Sequence, residues 1–171
     1  IEYISGISWR LSQEDPSIVN LKRSEQRGEL VYIPMGGSTL ELWTNRLEGL
    51  QVPEVHVLDR DVPPPEPAKY QGAADRVNAR GDNCRSFITN KREMENYIHF
   101  EAINEEFEIQ LTENFQAFDD VPVMVAKAVH DASQSTVDWE DLDEKKRDKK
   151  ESKAKKRLNR AAVSNMTKVR L

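Results

Sequence analysis

The stretch Glu54-Val55-His56-Val57-Leu58-Asp59-Arg60-Asp61 constrains the fold more than any other part of the chain. Val55, Val57 and Leu58 form a short apolar run with β-branched residues, and the run stops at two acids. This pattern predicts a buried strand ending in Asp59 and Asp61. Helical patterns on both sides predict a parallel α/β sheet, which places ligands beyond the carboxyl ends of its strands. Two acids two residues apart in an extended chain point the same way, a spacing suited to hard divalent cations such as Mg2+ or Mn2+. The bland alternative for Asp-x-Asp after a strand is a turn or a helix cap.

The flanks extend this reading. Residues 30–34 read as a short strand. Gly36-Gly37 allows a tight turn that could leave backbone N–H groups for phosphate, with simple turn chemistry as the alternative. Ser38 and Glu41 form a capping box for a helix over 38–48, which Gly49 ends. Strand 30–34, helix 38–48 and strand 54–58 would make a right-handed βαβ unit. Four prolines within residues 63–67 stiffen the exit from the acidic rim, and a helix over 68–80 with Gly81 as its cap leads to a third strand over 84–89. The product of this second crossover, residues 90–97, then reaches the same rim and brings Glu93 and Glu95 towards the aspartates. Their alternative is an ordinary charged helix start.

Outside this core, residues 1–11 fit a helix and residues 12–29 a loop broken by Pro16 and Gly28. Residues 102–111 form an uncertain acidic element. Residues 121–130 make a helix capped by Asp120 with Pro122 in its first turn. A long charged helix over 142–169 is apolar only near its end, and Trp139 anchors the turn before it. The net charge of −5 hides an asymmetry: residues 101–120 hold seven acids and no Lys or Arg, whereas residues 145–160 hold ten bases against two acids. The basic stretch could neutralise phosphates or be balanced internally by the acidic one.

Length and composition suit one domain with an appendage. No apolar run approaches the roughly 20 residues that span a bilayer, and no signal core opens the chain, so a soluble, cytoplasmic protein without membrane contact is expected. The single cysteine, Cys84, reads as a small core residue, and no Cys/His cluster offers zinc.

Three segments in this order, Val31-Tyr32-Ile33-Pro34-Met35-Gly36-Gly37, Leu58-Asp59-Arg60-Asp61 and Lys91-Arg92-Glu93-Met94-Glu95-Asn96-Tyr97, resemble the Toprim nuclease half of OLD-family (overcoming lysogenization defect) ATP-dependent endonucleases. The Asp-x-Asp is common to Toprim domains, and the Arg-Glu-x-Glu-Asn-Tyr segment discriminates more. The match covers residues 1–100 well and the tail loosely. The resemblance implies a Toprim-like (Rossmann-like) parallel sheet flanked by helices, with residues 1–110 a core lacking its first strand and 111–171 a helical extension carrying the basic helix. It also implies two Mg2+ or Mn2+ ions, DNA as substrate, an ABC-type ATPase domain upstream, a possible homo-oligomer and a role in phage defence or DNA processing. On that reading Asp59 is the shared metal ligand, and Asp61 with Glu95, or failing that Glu93, serves a second ion. A lysine among Lys153, Lys155 and Lys156, with Lys155 preferred, neutralises charge on the phosphate. The family's Glu-Gly pair is expected upstream of Ile1, with Glu2 a poor substitute, so the chain alone is expected to bind metal weakly and to be inactive. The rival readings are a non-catalytic module docking an ATPase complex or DNA, and another Toprim activity such as primase or topoisomerase chemistry.

Overall fold

Strand β1 (Glu54–Leu58) pairs in parallel with β2 (Cys84–Ile88), with Glu54 opposite Cys84 and Leu58 opposite Ile88. The computed structural model describes residues 1–36, 39–81, 83–167 and 170. Its contacts separate residues 33–94 as one unit from residues 1–32 together with 95–171 as another. The architecture is mixed α/β, and among the described residues the sheet has two strands. The helices, numbered in chain order, are α1 (Glu2–Glu14), α2 (Leu21–Gln26), α3 (Leu40–Glu48), α4 (Gln71–Asn78), α5 (Phe100–Phe107), α6 (Val121–Ala132) and α7 (Glu144–Arg157).

In the unit of residues 33–94, α4 supplies the crossover between the parallel strands, as the spacing requires. Leu40, Leu58, Ala73 and Ala74 form its buried cluster, with Met35, Tyr70 and Ile88 against it. The predicted strand over 30–34 does not form. Val31 and Ile33 are both exposed, so the apolar composition is not matched by a neighbouring strand to pair with, and propensity without a partner makes no ladder. The Gly-Gly turn and the Ser38 cap fall partly on Gly37 and Ser38, outside the described residues. Gly49 does end α3. Helix α4 is shorter than the pattern over 68–80 predicts. Its C-cap is Ala79, and Gly81 follows at φ 97°, where a side chain would be strained.

The phase of β1 corrects the sequence reading. Glu54, His56 and Leu58 are the buried residues, whereas Val55 is 71% exposed and Val57 lies on the same open side with Phe87. The inversion has a polar cause. Both Glu54 carboxylate oxygens accept from Arg80 Nη1, at 3.2 and 3.0 Å, and His56 Nε2 lies 2.7 Å from Glu54 Oε2. A second nitrogen of Arg80 donates to the Thr44 carbonyl. Buried polar groups that pair with one another can occupy an inner face that period-two hydrophobicity would give to valines, although His56 Nδ1 is buried here without a hydrogen-bond partner among the described residues.

In the other unit, α1, α5, α6, α7 and the turns between them enclose a core that includes Ile98, Ile103, Val121, Val125, Trp139, Leu158, Val163 and Met166. Asp120 caps α6 through Val123 N–H at 3.3 Å, and Trp139 is buried, both as expected. The expected loop over 12–29 instead contains the end of α1 and all of α2. Asn20 accepts from Arg23 N–H at 3.0 Å as the cap of α2. The buried Ser8 hydroxyl donates to Val19 O and accepts from Leu21 N–H, both at 2.7 Å, which holds the turn containing Pro16. The polar residues there cap and tether rather than merely solvate.

The long helix predicted over 142–169 is α7 followed by a π-helical turn, Leu158–Ala162. Its charged beginning is solvated and its apolar end is buried, as the sequence suggests. Part of the basic charge is used internally: Arg157 Nε lies 2.7 Å from Glu106 Oε1 with its guanidinium over Phe107, and Arg170 pairs with Glu101 and Glu105. A Cβ added at Gly6 would lie 2.8 Å from the buried Val163 Cγ1. Gly6→Ala should therefore cost about 1–3 kcal/mol in chemical denaturation, since the crowded methyl cannot withdraw to solvent. Among the described residues, no helix is long and apolar enough to cross a membrane.

Candidate active site

In the unit of residues 33–94, β1 stops at Leu58 because the next residues turn to meet the segment after β2. Leu58 O still accepts Thr89 N–H at 3.0 Å, extending the ladder by one step. Beyond it the Thr89 hydroxyl accepts Arg60 N–H at 2.9 Å and donates to Lys91 O at 2.7 Å. Asp61 N–H then donates to Arg92 O at 3.0 Å, and Met94 N–H donates to Asp59 Oδ1 at 3.1 Å. These bonds tie residues 59–61 to residues 89–94, so both segments meet at the carboxyl end of the parallel pair, as the sequence predicts.

The aspartates do not continue the strand, which corrects the expectation of an extended Asp-x-Asp. Val62 N–H donates to Arg60 O at 2.8 Å, closing a three-residue turn around Asp61, whose φ is 63°. A positive φ in a tight turn is unfavourable for most residues and least so for Asn and Asp. Asp61 Oδ2 lies 3.2 Å from Lys69 Nζ, and this hydrogen bond is the leading cause that holds the Lys69 ammonium above its usual range. Glu93, only slightly exposed, lies 3.8 Å from Arg92. Burial pushes the Lys91 ammonium below its ordinary range, a feature with no signal in the sequence.

The donors suit hard cations, since two aspartates follow one strand. Among the described residues, no three His, Cys, Asp or Glu side chains are gathered into a ready-made cage. Mg2+ needs no such cage, because it commonly takes one or two carboxylates and completes its shell with water and phosphate oxygen. The donor chemistry of these residues therefore fits a magnesium-type ion that completes its shell with other oxygens.

Glu95 lies in the other unit and is 2% exposed. It sits in a 3-10 turn, Met94–Tyr97. Asn159 Nδ2 donates to Glu95 Oε1 at 2.6 Å, and Lys155 Nζ is 3.7 Å from the same oxygen. Asn159 Nδ2 also donates to Lys155 O at 3.1 Å. The structure thus brings together the expected Glu95 and Lys155, while Lys153 and Lys156 lie exposed on α7. Tyr3 joins this neighbourhood. Its hydroxyl is pushed above the usual phenol range first by burial, then by Tyr97 and Glu95.

Asn159 went unnoticed in the sequence, although its position four residues after Lys155 puts the two on one helix face. It belongs to the π-helical turn, a local irregularity frequent at functional sites. Asn96 is structural, since its amide donates to Gln116 O and Asp119 O at 3.0 and 3.1 Å. Compared with models of protein families, with curated proteins and with solved structures, the chain has no significant match.

Proposed function

We propose that the chain is the Toprim-like part of a metal-dependent DNA endonuclease that works with an ABC-type ATPase domain and takes two Mg2+ or Mn2+ ions. The observation that carries this reading is the strained turn at Asp61, which sits beside Asp59 at the carboxyl end of a parallel strand pair. Strain kept at such a rim is more readily understood as serving a site than as serving the core. Asp59 and Asp61 are assigned to ion binding, with Glu95, or failing that Glu93, serving the second ion. The chemistry such ions supply is activation of water and neutralisation of charge at phosphorus.

The chain's own groups have separable tasks. Met94 N–H orients one Asp59 oxygen. Lys69 balances Asp61. Asn159 fixes Glu95, and Glu95 holds the Lys155 ammonium in place to meet negative charge on a phosphate. The exposed lysines of α7 give non-specific attraction to the DNA backbone.

The test is nicking of supercoiled plasmid by the chain extended at its N-terminus with a strand that ends in the Glu-Gly pair of the family it resembles. Cleavage should require Mn2+ or Mg2+ and fall at least about 100-fold in Asp59→Ala. Metal-independent DNA binding without cleavage in the extended protein would favour the docking module instead.

A further inference from the structure

We propose that the cleft between α1 and α2 binds a nucleoside phosphate, with the phosphate on Arg23 and Arg27 and the nucleoside against Pro16 and Val19. The cleft has a volume of about 370 Å3, within the range of small-ligand sites. It lies wholly in the unit of residues 1–32 and 95–171, whereas the aspartates belong to the other unit, so this inference goes beyond the nuclease reading and stands without it.

Its lining is selective in charge. Two arginines and several neutral polar groups, among them Ser12 and Gln13, face it together with Pro16 and Val19, and no carboxylate lines it, in a chain with 30 Asp and Glu against 25 Lys and Arg. Arg23 and Arg27 are one helical turn apart, which places their side chains as neighbours, and two guanidinium forks so spaced can share the oxygens of one phosphate. Among the described residues Arg23 has no ion-pair partner. Arg27 has only Glu29, at 3.7 Å with both side chains about half exposed. An exposed pair of this kind contributes little and yields readily to a better-placed anion. Val19 is 62% exposed at the rim of this charged cleft, and with Pro16 it offers an apolar wall to a sugar or base.

The phosphate could belong to a free nucleotide or to a DNA strand. Both sources are tested by titrating the full chain, in EDTA so that divalent ions play no part, with dAMP, with a short thymidine oligonucleotide and with inorganic phosphate. Binding of dAMP more tightly than inorganic phosphate, weakened at least about tenfold in R23Q/R27Q, supports the site and assigns it a free nucleotide. Binding of the oligonucleotide alone, weakened likewise, supports it with backbone phosphate as the source. A melting temperature unchanged in R23Q/R27Q confirms that the loss is local, because both side chains are solvent-exposed. Undetectable binding of both nucleic-acid probes overturns the proposal. So does binding that survives in R23Q/R27Q, or detectable binding of inorganic phosphate as tight as that of dAMP.

Discussion

Glu54→Ala should destabilise the protein by about 3 kcal/mol, the lower end of the range for breaking a buried ion pair, and lower its melting temperature by about 6–12 °C. The carboxylate is nearly buried and accepts two hydrogen bonds from Arg80, whose side chain is only 9% exposed. Removing it leaves that guanidinium without its close counter-charge. Glu48, 3.9 Å away and largely exposed, compensates only weakly, which keeps the expected loss from being larger. His56 loses its carboxylate partner at the same time. Glu54→Gln retains an acceptor of the same shape and should cost less than Glu54→Ala. Thermal and chemical melts of both variants check the ordering, and equal, small losses would mean that the network contributes nothing to the fold.

Glu95→Gln should reduce metal-dependent nicking by about 100-fold or more in the extended protein while changing stability by less than about 1 kcal/mol. The isosteric amide keeps an acceptor for Asn159 and removes the negative charge near Lys155. Glu95→Ala is the contrasting variant. Because Glu95 is enclosed rather than open to solvent, its truncation strands the Asn159 amide and should cost about 1–3 kcal/mol. The comparison separates charge from packing, which Glu95→Ala alone cannot. Glu93→Gln should be mild; loss of nicking in Glu93→Gln with full activity in Glu95→Gln would reverse their roles.

The rim was legible because its determinants are local. The bounds of β1, the crossover to β2 and the arrival of residues 89–94 beside Asp59 follow from apolar runs, a helical interval and the rule that parallel strands share a carboxyl end. The cap at Asp120 and the buried Trp139 are likewise written into short patterns. What the sequence concealed depends on partners remote in the chain. Val55 and Val57 look like core residues, but Arg80, 26 positions after Glu54, turns the polar side of β1 inward. Residues 30–34 have strand composition but no pairing partner in the sheet. Ser8 holds Val19 and Leu21 through one hydroxyl, so a polar segment that reads as loose contains an ordered helix. The contact of Glu95 with Lys155 and Asn159 joins positions about sixty residues apart, and the π-helical turn that carries Asn159 has no periodicity to announce it.

The assignment of Asp59 and Asp61 to divalent ions is tested most directly by calorimetric titration of Mg2+ and Mn2+ into the chain and into Asp59→Ala. The account predicts weak binding by the chain, strengthened when a Glu-Gly segment is supplied at its N-terminus, and no measurable binding in Asp59→Ala, because the remaining carboxylates cannot hold an ion without the shared one. Binding of equal strength in Asp59→Ala would contradict it.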